Sequence, residues 1–156
     1  MKSMPGVTQQ NVLTASDIDA FEALITNETL KNKVEKLFRD GHHSRAVEEA
    51  YKYLDNFVKK ASGIEESGAK LMQAAFSFNN PILMLNAGSN TSEQDEQKGY
   101  LQIFAGCMTG IRNPRAHESD WEDSEIHALQ LLVFANHLVE RVTNAKHITR
   151  KTPSEN

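Results

Sequence analysis

The stretch Gly110-Ile-Arg-Asn-Pro-Arg-Ala-His117 is where this chain's residue types and spacing suggest chemistry. Asn113 followed by Pro114 has the pattern of an N-cap and a first helical residue, since proline presets the helical φ where its missing N–H costs nothing. Unpaired N–H groups at such a helix start attract anions, phosphate above all. Arg112 and Arg115 would add two permanent positive charges beside that start, and His117 an imidazole that can take up or give a proton. Cleaving an RNA phosphodiester calls for these parts: a group that moves a proton, and cations that stabilise charge on the phosphorane. The same residues equally suit a plain helix restart, with Arg115 solvated and His117 paired with Glu118 or Asp120.

Other chemistry-bearing residues point less far. His127, His137 and His147 recur every ten residues, which turns each about 80° from the last on a helix, so they cannot share a metal on one face. His42 and His43 follow Gly41 and read as turn surface rather than as ligands. The single cysteine, Cys107, excludes an internal disulfide and a paired-cysteine zinc motif; inside an apolar helical pattern it reads as a buried, inert thiol. A glycine-rich phosphate loop, a His-Glu-x-x-His pair and a Gly-x-Ser-x-Gly elbow are all absent from the sequence. No metal and no cofactor are expected.

The elements that must position the motif are helical. Ser16-Asp17 opens a short helix with Ile18, Phe21, Leu24 and Ile25 on its apolar side. Thr26 or Asn27 caps the next one, which carries Leu30, Val34, Leu37 and Phe38 and stops at Gly41. Ser44 is the expected cap of the clearest helix, with the stripe Val47, Ala50, Tyr51, Leu54, Phe57, Val58 and Ala61 and a stop at Gly63. Its opposite face, Glu48, Glu49, Lys52, Asp55 and Lys59, reads as solvated surface. A shorter helix spans Gly68 to Phe78, and Ala87 to Gln94 reads as a polar loop. The helical period resumes from Glu96 to Ile111, breaks at Arg112-Asn113-Pro114, and returns from about Ser124 to Asn144. No segment alternates with period two, so the expected fold is all-α: a bundle with two long antiparallel helices meeting at the break, plus shorter helices.

Composition agrees. At 156 residues, 39% hydrophobic and 24% charged, the chain suits one folded domain. Eight Gly and four Pro are too few for a sandwich or barrel. Seventeen basic against 21 acidic residues, a net charge of −4, argue against coating nucleic acid by bulk electrostatics but permit a local basic pocket. No stretch is long and apolar enough for a membrane helix, and the first ten residues do not read as a signal peptide. The expected organisation is a flexible tail at 1–14, a helical domain at 15–145 and a second tail at 146–156, in a cytoplasmic protein.

Three blocks carry a family resemblance: Leu37-Phe-Arg-Asp-Gly41 with Ala46-Val47 and Ala50; Leu71-Met72 with Ala75-Phe76-Ser77 and Pro81; and Glu96 with Gly99, Phe104-Ala-Gly106 and Gly110 to His117. With an Arg-x-x-x-x-His between its last two long helices, the chain resembles the HEPN superfamily, and more closely its phage- and defence-associated branch of hypothetical Ymh proteins. The resemblance covers roughly residues 30–145, and its last block is the specific one. It implies a metal-independent endoribonuclease, acting as a toxin or in phage defence, with Arg112 and His117 at the catalytic positions, Asn113 as the polar residue after the arginine, and RNA as the substrate. It further implies a homodimer whose two motifs form one composite site, and a possible antitoxin or regulatory partner. An acidic residue on an earlier helix supports the site in some members; Glu48 is the candidate here, with Glu49 and Asp55 as competitors. A toxin subgroup has tyrosine two residues after the histidine, where a partner enzyme modifies it, but this chain has Ser119. The superfamily also holds inactive modules, so a non-catalytic nucleotide- or nucleic-acid-binding domain and a structural or antitoxin-like partner stay open as alternatives.

Overall fold

In the computed structural model, residues 20–148 are described. The expected tail at 1–14 and the start of the first helix at Ser16 to Ile18 lie outside them, as do residues 149–156. The chain enters through a helical turn at residues 20–24 that buries Phe21 and Ile25. Asn27 is the cap of α1 (Glu28–Arg39), its side chain accepting from the Leu30 N–H. Leu30, Val34 and Phe38 face inward, and Phe38 stacks on Phe21 with ring centroids 5.1 Å apart. Gly41, at φ 85°, turns the chain into α2 (His43–Ser62). This helix starts two residues earlier than the sequence suggests, with His42 rather than Ser44 at the cap position and no side-chain cap bond. It ends at Gly63 in the left-handed conformation.

After α2 comes α3 (Gly68–Ala75), shorter than the sequence suggests. Its first amide donates to Asp55 Oδ1 at 2.7 Å, so Asp55 is buried rather than solvated. Next, α4 (Thr91–Cys107) begins inside the stretch expected to be loop, because Asn90 caps it and Glu93 reaches back to the Ser89 N–H. The final long helix, α6 (Glu125–Thr143), has Ser124 as its cap, as its sequence suggests. A two-residue antiparallel pair joins β1 (Leu83–Met84) to β2 (Lys146–His147). Lys146 and His147 were expected to be tail, but strands of two residues leave no alternation to read.

One core runs through the bundle, from Phe21 to Val142. The central α2 is wedged between α1 and α6, and Tyr51 on it donates to the Leu131 carbonyl at 2.8 Å. Two buried amides hold the connections. Gln97 accepts from the Leu85 N–H and donates to the carbonyls of Phe76 and Leu83, at 3.0 to 3.1 Å. Asn136 accepts from the Asn27 N–H and donates to Thr26 Oγ1, tying the entry loop to α6. As expected, α4 and α6 run antiparallel, with Tyr100 meeting His137 at 2.6 Å and Glu96 meeting Arg141 at 2.9 Å. α2 supplies most of the packing for α6, whereas α4 packs mainly on α3. The fold is an all-α bundle.

Candidate active site

The motif does not sit at a helix start. From Cys107 the backbone passes through one π turn, Met108–Arg112, directly into α5 (Asn113–His117). Arg112 and Asn113 are both helical, and the Asn113 N–H donates to the Met108 carbonyl. Pro114 explains the widening: in a regular α-helix its ring would press on the carbonyl four residues back, at Gly110, and a π turn relieves that contact. The expected N-cap at Asn113, with its row of free amides for phosphate, is therefore absent. The helix ends instead at Glu118, which is extended, and residues 118–124 make the true turn into α6.

A regular helix advances about 100° per residue, so Arg112, Ala116, Asn113 and His117 share one arc of about 140° in that order. His117 is exposed, and Arg112 and Asn113 are partly so. Arg112 Nη1 donates to Asn113 Oδ1 at 3.3 Å, which draws the guanidinium toward the middle of the arc. The methyl of Ala116 between them leaves the arc shallow. Among the described residues no ion pair joins His117 to Glu118 or Asp120. Three of the residues read from the sequence are thus together: a cation, an amide and an imidazole on one accessible surface.

Arg115 is not with them. It turns inward, its side chain 4% exposed, and forms a bidentate pair with Asp123 at 2.8 and 2.7 Å while Nη1 donates to the Ile111 carbonyl. The Trp121 ring covers the guanidinium at 5.3 Å. With Nε, Nη1 and Nη2 all engaged, Arg115 is the clasp between α5 and the 118–124 turn, not a phosphate clamp. Sequence reasoning missed Asp123; an aspartate eight residues after an arginine has no distinctive spacing. Burial opposes ionisation of Asp123, but the hydrogen bonds and charge of Arg115 outweigh it, and the Ser44 hydroxyl and His127 add to them. Its carboxyl stays below the usual range.

Glu48 falls on the helix face shared by Ser44, Tyr51 and Asp55, at spacings of four, three and four residues. That face meets the motif segment: Ser44 acts on Asp123, and Tyr51 lies within electrostatic reach of Cys107 and Arg115. Glu48 forms no hydrogen bond to Arg112, Asn113 or His117. Of its competitors, Asp55 is committed to the Gly68 amide, and Glu49 lies on another face beside Arg45. His42 and His43 line a cleft of about 410 Å³ with Arg45, Trp121 and Asp123, and His43 tilts against Phe38. Cys107 is buried, and burial pushes its thiol up to about 12, so it carries no nucleophile.

A family model described as "Protein of unknown function (Hypoth_ymh)" matches residues 25–142. The chain belongs to this family. The match includes every helix from α1 to α5 and nearly all of α6. No curated protein and no solved structure matches the chain.

Proposed function

We propose that this Ymh-family protein is a metal-independent endoribonuclease of the HEPN type, acting as a toxin or phage-defence effector. The observation that carries this reading is the accessible arc of Arg112, Asn113 and His117 on a helix clasped from behind by Arg115 and Asp123. The substrate's ribose 2′-OH attacks the adjacent phosphorus, the O2′–P bond forms and the P–O5′ bond breaks. His117 takes the 2′-OH proton, and a second acid protonates the departing 5′-oxygen. Arg112 stabilises the developing charge, and Asn113 holds Arg112 or donates to a phosphate oxygen. The products are a 2′,3′-cyclic phosphate and a 5′-hydroxyl.

With Arg115 committed to Asp123, a single protomer offers one free arginine and one histidine at the arc, which is half of what in-line cleavage uses. A two-fold homodimer would bring His117 of the partner subunit as the acid. One face of α4 suits close approach: Gly99, Ile103 and Gly106 recur at intervals of four and three residues, and Ile103 is 39% exposed.

The test is cleavage of a labelled RNA by the purified protein in EDTA. Cutting should persist, should stop at a linkage carrying 2′-O-methyl, and should vanish in Arg112→Ala and His117→Ala with the helical spectrum unchanged. Full activity in both variants, or cutting of the methylated linkage at an undiminished rate, sinks the proposal.

A further inference from the structure

A cleft with a volume of about 820 Å³ lies away from the motif, between α1 and α2. Its lining is basic and aromatic. Lys33 comes from α1, and Lys52 and Lys60 from α2, against one carboxylate, Glu49, which faces Arg45 at 3.7 Å. That local excess of positive charge stands out in a chain whose net charge is −4. Tyr53 and Phe57 form the floor, their rings 5.7 Å apart, and the Lys33 ammonium sits 5.8 Å from the centre of the Tyr53 ring. Lys52 and Lys60, eight residues apart on one helix, are separated by about 12 Å along its axis.

We propose that this groove binds a short segment of single-stranded nucleic acid, with bases on Tyr53 and Phe57 and phosphates on Lys33, Lys52 and Lys60. Paired aromatic faces flanked by spaced cations match a polymer that alternates π-faces with charges. An acidic peptide would use the lysines and leave the rings idle. A single nucleotide would not span from Lys52 to Lys60. The groove residues Glu49, Tyr53, Asn56 and Lys60 lie roughly 140° around α2 from the Ser44–Glu48–Tyr51–Asp55 face that meets the motif. The groove is thus a separate site, and its binding needs no catalysis by His117.

Binding of a fluorescein-labelled ten-nucleotide deoxyadenosine strand, followed by anisotropy from 50 to 200 mM salt, tests this. DNA lacks the 2′-OH, so binding is read without cleavage, and failure of the ribonuclease proposal leaves this result interpretable. Wild-type protein should bind, and Lys52→Glu/Lys60→Glu should weaken binding at least tenfold. Lys52→Gln/Lys60→Gln should lower the slope of log K against log salt by about 1.4, or 0.7 per phosphate contact. Tyr53→Leu should lose about tenfold while leaving the slope unchanged. Thermal melting checks that each variant is folded; should the double glutamate variant unfold, the double glutamine variant carries the test. No binding by the wild type, unchanged binding by the lysine variants, or equal displacement by polyglutamate overturns the proposal.

Discussion

Arg112 and Arg115 stand three residues apart, and the sequence offers them as a matched pair of phosphate ligands. The fold separates them completely. Arg112 lies on the accessible arc with only the side chain of Asn113 for company, whereas Arg115 is sealed beneath Trp121 with a carboxylate across its Nε and Nη2. The lesson is that charge near a motif counts as available only when its hydrogen-bonding capacity is unspent. An arginine already in a bidentate pair has little left to offer a substrate.

The contrast can be broken from either side. The largest effect expected is on the accessible face, where His117→Ala should lower RNA cleavage by roughly 10²- to 10⁴-fold, the usual worth of a proton-transfer group, while the melting temperature barely moves. On the buried face the expectation reverses. Arg115→Met strands a buried Asp123 and should cost about 3–5 kcal/mol in denaturant unfolding. Arg115→Met/Asp123→Leu should recover most of that loss and still cleave RNA, since neither residue touches substrate in this reading. A stable double variant without activity would return Arg115 to the phosphate.

Acid sharpens the comparison further. The folded-state pKa of Asp123 lies below its unfolded value, so the clasp's contribution is complete above about pH 4 and lost only as pH falls through the lowered folded value. Wild-type stability should show no loss from Asp123 between pH 7 and 5. In Arg115→Met the unpaired, buried carboxyl favours its neutral form, so the stability gap to wild type should narrow on acidification. Unfolding curves at pH 7, 5 and 4 measure this. The smallest effect expected is at Gly110, which is exposed, has no positive φ, and has nothing within 4 Å of where a Cβ would sit. Gly110→Ala should raise stability by up to about 1 kcal/mol, read as a small rise in melting temperature.

The apolar stripes of α1, α2 and α6 were legible because burial there follows the helical period, with Asn27, Gly63 and Ser124 marking three of the ends; the start of α2 was not, since Ser44 lies inside the helix. The start of α4 was hidden by its polar first turns, although Asn90 and Glu93 carry the spacing of a reciprocal cap. Asp55 looked like surface because its neighbours are charged, yet it shares the face of Tyr51. At the motif, residue types were readable and their surroundings were not: Asn113-Pro114 carries the same local pattern whether it opens a helix or rides on a widened turn. The segment's continuation from α4, with Cys107 and Met108 buried in the core, is a tertiary fact that this pattern does not carry.

The π turn at Met108–Arg112 acts as a phase shift in a screw. It adds one residue to a turn without adding a turn, so everything after it is rotated relative to a straight continuation of α4. Removing a single residue from that turn would rotate α5 by about 100° against the bundle. Arg115 would swing away from Asp123, and the Arg112–His117 arc would turn with it. One residue of chain length therefore sets which arginine is structural and which is left facing solvent.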